Sequence, residues 1–282
     1  MINSIGWPSL WGSTGYGDRY CGGRTDYGTF QGATHLSELS ERLKSTTIRR
    51  TKAEVLSELP ALSIVPVPVR ANLREYKKVE VNVKEVILAM NPSSKGYWLG
   101  VLDRLNYLRQ AAGIAKIKSV IEWSIDFLES NPAEVKIVIY AHHKAIVGHL
   151  SNALGAWGVL KIVGSSRPKD RERDALAFQS NLENRVMIIS AAGGMGIDLF
   201  GTNGIECSNL VFSELEWRPS DIDQAAGRLH RLGQHLAVTA WLFGAIGTID
   251  DYMIQRLTEK DAIISQVVGD HSIVRGILDG WR

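Results

Sequence analysis

The chain has 282 residues, 45% of them hydrophobic and 22% charged, with a net charge of +2. That balance excludes a disordered or fibrous chain, and the charge is too small to argue for a nucleic-acid partner unless local patches supply one. Cys21 and Cys207 lie far apart with no CxxC spacing, which argues against a disulfide framework or a structural zinc site. The first residues lack a basic segment followed by an apolar core, and apolar runs such as 135–141 are far below spanning length; a soluble, non-secreted protein without a membrane partner is expected.

Residues 1–33 are rich in glycine and aromatics and read as irregular. A helix is expected over 35–58, ended by Pro60, and the proline-interrupted stretch 64–69 reads as an extended edge segment. Helices follow at 74–90 and 101–128, separated by a turn-like Asn91-Pro92 segment. Short apolar runs at 136–140, 160–163, 186–189, 209–212 and 238–243 then alternate with helical stretches near 143–154, 169–179 and 221–232. That alternation predicts a parallel α/β sheet whose chemistry gathers at the carboxyl ends of the strands. A single amphipathic helix over 249–268 closes the pattern. The expected divisions are 1–60, 61–130, 131–246 and 247–282.

Four constellations could carry chemistry. Pro219-Ser220 suggests a helix start with Ser220 as N-cap, and Gly233 a helix end, so the segment between reads as one short helix. On it Gln224, Arg228 and Arg231 share a face, while Ala225, Leu229 and Leu232 pack inward. Two preorganised guanidiniums suit a phosphate carrying developing charge; the alternative is a solvated basic helix end. After the strand at 186–189, Ser190 leads into Gly193, Gly194 and Gly196, where backbone amides can approach an anion, or which form only a tight loop. His142, His143 and Lys144 end another strand without a third metal ligand, so a solvated strand end is expected. Gly164-Ser165 precedes a helix whose N-terminus can hold a backbone phosphate, with Arg171 fixing that helix and Phe178 in the core.

The string Q-x-x-G-R-x-H-R-x-G-Q at 224–234 resembles motif VI of superfamily-two helicases, in the form of the Swi/Snf-related DNA translocases. The glycine loop after 186–189 resembles motif V, 136–144 motif IV, and Gly164-Ser165 with Arg171 and Phe178 the motif between. Arg49-Arg50-Thr51-Lys52 with Leu59-Pro60 resembles the R-R-x-K … L-P signature, and 212–219 the F-x-E-L-x-W-N-P of the annealing-helicase branch, with Arg218 in place of asparagine. Gly247-Thr248-Ile249-Asp250 and Lys260 resemble the closing brace helix.

The resemblance implies a RecA-like C-terminal lobe with a helical protrusion before it and a brace helix after it. Arg228 and Arg231 would be arginine fingers, and Gln224, Asp198 and Gly196 would support the nucleotide. Ser190, Gly193, Gly164, Ser165, His142 and Lys144 would follow a DNA backbone. ATP and Mg²⁺ would be held mainly by a first lobe, in cis or in trans, because no Gly-Lys pair and no Asp-Glu pair occurs here. Double-stranded DNA is the implied partner, in the cytoplasm or nucleus, and the isolated chain should be inactive. The alternative is a non-catalytic DNA- or protein-binding fragment of such a motor. A DEAD-box RNA helicase fits less well, since Gly233 is followed by Gln234 rather than arginine.

Overall fold

The computed structural model describes residues 15–23, 32–44, 47–48, 50, 52–56, 58–94, 96–191, 196–202, 204–268 and 281. They fall into two compact units, Met1–Ser57 with Glu259–Ser272, and Glu58–Thr258 with Ile273–Arg282. In the first unit α1 (Gly15–Tyr20), α2 (Leu36–Lys44) and α3 (Lys52–Val55) are short helices. Tyr20 and Leu39 bury against Tyr16, Leu43 and Val267. The single helix expected over 35–58 is therefore two. The β-branched residues Thr47 and Ile48 lower helix propensity where it breaks, and Ile48 lies 92% exposed. Arg49, Thr51 and the Lys52 side chain lie outside the described residues.

The second unit runs β1 (Leu62–Val69), α4 (Arg74–Ala89), α5 (Tyr97–Glu129), β2 (Val135–Tyr140), α6 (Lys144–Ala153), β3 (Val159–Ile162) and α7 (Pro168–Ser180). It continues with β4 (Val186–Ile189), β5 (Glu206–Phe212), α8 (Pro219–Ala226), β6 (Val238–Ala245) and α9 (Ile249–Val268), whose second half passes into the first unit. The six strands form one sheet in the order β1-β6-β5-β2-β4-β3, with every ladder parallel. Both faces are buried, as parallel sheets require. Val138, Tyr140, Met187, Ile189, Leu210 and Phe212 join one core with α7, α8 and the start of α9. The alternate residues Ile137, Ile139, Val186, Ile188 and Val211 join the other with α5 and α6.

The prolines of β1 sit where an edge strand tolerates them. Val238 and Ile246 donate to the carbonyls of Ala61 and Val69, so odd-numbered residues of β1 turn their backbone groups toward β6. Pro66 and Pro68 therefore place their missing N–H groups on the outer side, which blunts the edge against further pairing.

Neighbouring strands β2 and β4 send their chains to opposite faces. The chain leaves β2 through α6 in one core, and leaves β4 through a segment whose Leu199 lies in the other. A crevice at such a reversal, outside the carboxyl ends of the strands, is the usual ligand position in open α/β sheets.

Buried cations lock this frame. Lys116 of α5 donates to Asp250 at 2.8 Å and to Phe243 O at 2.7 Å, and Asp250 also accepts Ala245 N–H, fixing the start of α9 on the sheet. The Arg185 guanidinium donates to the carbonyls of Leu128, Asn131, Pro132 and Val135, closing the C-terminus of α5, and lies over the Trp157 ring. Lys136, fully buried, does the same for α7 through Phe178 O and Asn181 O. Among the described residues no helix is long and apolar enough to cross a membrane.

Candidate functional site

Five of the residues expected to touch DNA line one cleft of about 1050 Å³ at the carboxyl ends of β2, β3 and β4: His142, Lys144, Gly164, Ser165 and Ser190. Two helix N-termini flank it, those of α6 and α7, and each brings partial positive charge from its free amides. Lys144, Lys161, Arg167 and Arg173 stand there against Asp170 and Asp174, both of which Arg173 pairs. Lys144, Lys161 and Arg167 make no ion pair with a described residue, so the cleft keeps an excess of unpaired cations. The turn at its floor is self-supporting. Ser166 Oγ accepts Val163 N–H at 3.0 Å, and Arg171 donates to Ser166 O and Gly164 O, so Arg171 fixes the turn as expected, while Phe178 is fully buried. Gly164 and Ser165 are left exposed.

A second, small pocket of about 40 Å³ lies beside the cleft, bounded by Tyr140, Ser190, Asp221, Gln224 and Arg228. Its volume is of the order of one or two waters, so it is a notch rather than a nucleotide pocket. Ser190, at the end of β4, lines both spaces.

The arginine segment differs from the expected single helix. Arg218, not Ser220, is the N-cap of α8, and Pro219 takes the first helical position that its fixed φ favours. The helix ends at Ala226. Beyond it the chain winds in tight turns, with Arg228 N–H on Ala225 O and Leu229 N–H on Ala226 O, before Gly233 reverses it at φ +97°. Gln224, Arg228 and Arg231 thus do not share one α-helical face. Ala225 and Leu229 are buried as expected, but Leu232 is 69% exposed because the helical phase is lost.

The two arginines have different surroundings. Arg228 reaches the notch, and its Nη1 lies 3.5 Å from Ile197 O. Burial presses its guanidinium below the ordinary value, the neighbouring Arg231 adds to this, and Asp198 opposes it. Arg231 forms an ion pair with Asp198 through Nη1 and donates from Nε to Gly227 O at 2.8 Å. Leu199 N–H donates to Arg228 O, and Gln179 donates to Asp198 O, so the end of the glycine loop is fastened to the arginine turn. Gly196, at φ +80°, lines neither space, and Gly193 lies outside the described residues.

The other letters of the arginine string are structural. His230 Nε2 lies 2.8 Å from Pro60 O, at the entrance to β1. Gln234 donates to Cys207 O and Leu229 O and accepts from His235 and Leu236 N–H.

Sequence reasoning missed a buried acidic network. His142 and His143 do not form a solvated strand end: both backbone N–H groups donate to Glu214 Oε2, at 2.7 and 2.9 Å, and His143 Nδ1 meets Glu214 Oε1. Glu216 Oε1 accepts from Arg109 Nη2 at 2.6 Å and Tyr140 OH at 2.7 Å, and lies 3.4 Å from His142 Nδ1. Burial would raise both carboxyls. Histidine hydrogen bonds and the Arg109 charge overcome it, leaving Glu214 below its ordinary value and Glu216 at about 2. The only signal was the pair of acids flanking Leu215 next to an apolar strand; their partners lie about seventy to over a hundred residues upstream and meet them only in the fold.

A parallel α/β lobe with a basic cleft and arginines beside it at a strand-order reversal defines a helicase-type C-terminal lobe, and residues 116–233 match the helicase conserved C-terminal domain family. The chain carries a helicase C-terminal domain, and the relatives it resembles are SWI/SNF-related proteins and DNA annealing helicases. It is 33% identical over 264 residues to the Xenopus tropicalis "SWI/SNF-related matrix-associated actin-dependent regulator of chromatin subfamily A-like protein 1", covering 89% of this chain and 26% of that protein. It is 29% identical over 263 residues to the Mus musculus "DNA annealing helicase and endonuclease ZRANB3", covering 90% and 24%. The fold is similar to the Sulfolobus solfataricus SWI2/SNF2 ATPase core in complex with dsDNA, at TM-score 0.57 and 20% identity, over 86% of this chain and 53% of that one. The chain spans about a quarter of the length of these curated relatives.

Proposed function

We propose that this lobe is the C-terminal half of an ATP-driven motor that moves along double-stranded DNA by its backbone, without sequence preference. The observation that carries the reading is the adjacency of the basic cleft and the Arg228 notch, which share Ser190. In this reading Lys144, His142, Gly164, Ser165, Ser190 and Gly193 meet phosphates, using side-chain charge and the amides of two helix ends. Arg228 and Arg231 stabilise charge on a transferring phosphate, Gln224 supports them from α8, and Asp198 holds Arg231 in place.

The chain's residues fit only one side of a nucleotide site. The guanidiniums suit a terminal phosphate, while the G-x-x-x-x-G-K-[ST] loop and the Asp-Glu pair that would hold ATP and Mg²⁺ occur nowhere in this sequence and belong to a first lobe. The small volume of the notch fits a site completed by a second surface. Alone, the chain then turns over ATP negligibly. The relatives named for chromatin regulation and DNA annealing favour a chromosomal setting, nuclear in a eukaryote.

Duplex binding measured by fluorescence anisotropy across a salt series tests the DNA side. Binding should weaken steeply with salt and be indifferent to sequence, and Lys144→Ala or Lys161→Ala should each lower the log–log slope by about one. A chain that fails to bind duplex, or whose binding ignores both lysines, contradicts the reading.

A further inference from the structure

We infer that Glu216, held by Arg109, is a positioning residue that couples the basic cleft to the arginine turn through a single carboxylate oxygen; this rests on the proposed DNA-motor reading. Glu216 Oε1 receives the Tyr140 hydroxyl, from the ring that borders the Arg228 notch. The same oxygen lies 3.4 Å from Nδ1 of His142, which borders the cleft. One atom therefore joins a wall of each space. Its third partner, Arg109 Nη2 at 2.6 Å, projects from α5, and both members of that ion pair are at least 93% buried in their side chains.

The surroundings make the joint stiff. Glu214, two residues earlier, clamps the β2–α6 turn through the N–H groups of His142 and His143, so His142 cannot move without pulling on this strand end. Gly113, one helical turn beyond Arg109, lets α5 seat directly on the Glu214 stem: a Cβ there would meet Glu214 Cγ at 3.3 Å. Downstream, Pro219 opens α8 three residues after Glu216, and α8 carries Gln224, which lines the notch together with Arg228 from the turn that follows. A phosphate drawing His142 and Lys144 into the cleft would thus displace the Glu216 oxygen, Tyr140 and the start of α8 together. Contiguous buried hydrogen-bond and ion-pair networks are the kind of connection through which coupling between two sites is carried. Glu216 and Arg109 need touch no phosphate themselves; Glu216 acts through Tyr140 and α8.

The test is hydrogen exchange of segment 221–232 with and without saturating short duplex DNA. In the unmodified chain the duplex should slow exchange there about tenfold, an ordinary scale for coupling between two sites. Tyr140→Phe keeps the ring and removes the hydroxyl; the slowing should fall below about twofold while duplex affinity stays within about threefold. Glu216→Gln alone would strand the buried Arg109 charge, so the matched variant is Arg109→Met with Glu216→Gln, which removes both charges and should also lose the slowing once circular dichroism shows it folded. If that double variant does not fold, Tyr140→Phe decides. Slowing that survives in a folded variant overturns the coupling, as does duplex binding without slowing in the unmodified chain. Absence of duplex binding altogether overturns the DNA reading as well.

Discussion

Arg231 is tied to Asp198 by an ion pair in which both side chains are still more than 40% exposed to solvent. The pair is accessible, so it can exchange partners when a phosphate approaches. Exposed pairs of this kind contribute under about 1 kcal/mol to stability. Asp198→Asn should therefore leave the unfolding free energy almost unchanged in a denaturant titration. In a two-lobe enzyme the same change should lower kcat less than about tenfold, whereas Arg231→Ala should lower it about a thousandfold or more. Equal losses for the two variants would mean that Arg231 serves only to hold Asp198.

Acid should unfold the large unit through its buried carboxylates. Glu216 sits at about 2 in the folded chain against an ordinary 4.5, and Glu214 is lowered in the same direction. A depressed folded value means that the unfolded chain binds protons first, so stability is fully present above about pH 4.5 and is lost as pH falls toward 2. Chemical denaturation across that window should show a falling free energy whose slope is reduced in the Arg109→Met with Glu216→Gln variant. An unchanged slope would remove Glu216 from the acid transition.

Arg185 closes the C-terminus of α5 with hydrogen bonds to four carbonyls and replaces many solvent contacts at once. Arg185→Ala should cost about 3 kcal/mol, since each bond to a charged donor is worth roughly 1.5–3 kcal/mol and only part of the set can be replaced by water. Arg185→Lys should recover a minority of that loss, because an ammonium lacks the planar fork. Thermal unfolding of the two variants checks both statements.

Lys116 and Asp250 form a fully buried pair that anchors the start of α9 to the sheet. Lys116→Met leaves a buried carboxylate without its cation and should cost about 3–5 kcal/mol. Adding Asp250→Asn, which can still accept Ala245 N–H, should recover most of the loss. A double variant no more stable than the single one would place the anchoring elsewhere.

Much of this architecture was legible before any coordinates. Apolar runs separated by helical periods located five of the six strands, β2 to β6, and the paired prolines at 66 and 68 marked the edge strand β1. The string from Gln224 to Gln234 pointed to the right region but not to its shape: Gly227 ends α8 early, and the turns that follow depend on Pro60 and Ile197, neither of which a helical pattern can register. His142 and His143 read as a solvated end because their carboxylate partners are more than seventy residues away in the chain. Periodicity reports which residues are buried; it carries little about which polar groups find one another across a sheet.

The central claim, that this lobe supplies Arg228 to a triphosphate held by another lobe while gripping duplex DNA, is tested by joining the chain to a first lobe that carries G-K-[ST] and D-E-x-H and measuring phosphate release. Hydrolysis should require both lobes, rise with duplex DNA, and fall about a thousandfold in Arg228→Ala without loss of duplex affinity. Brisk turnover by this chain alone, or full activity in Arg228→Ala, would contradict it.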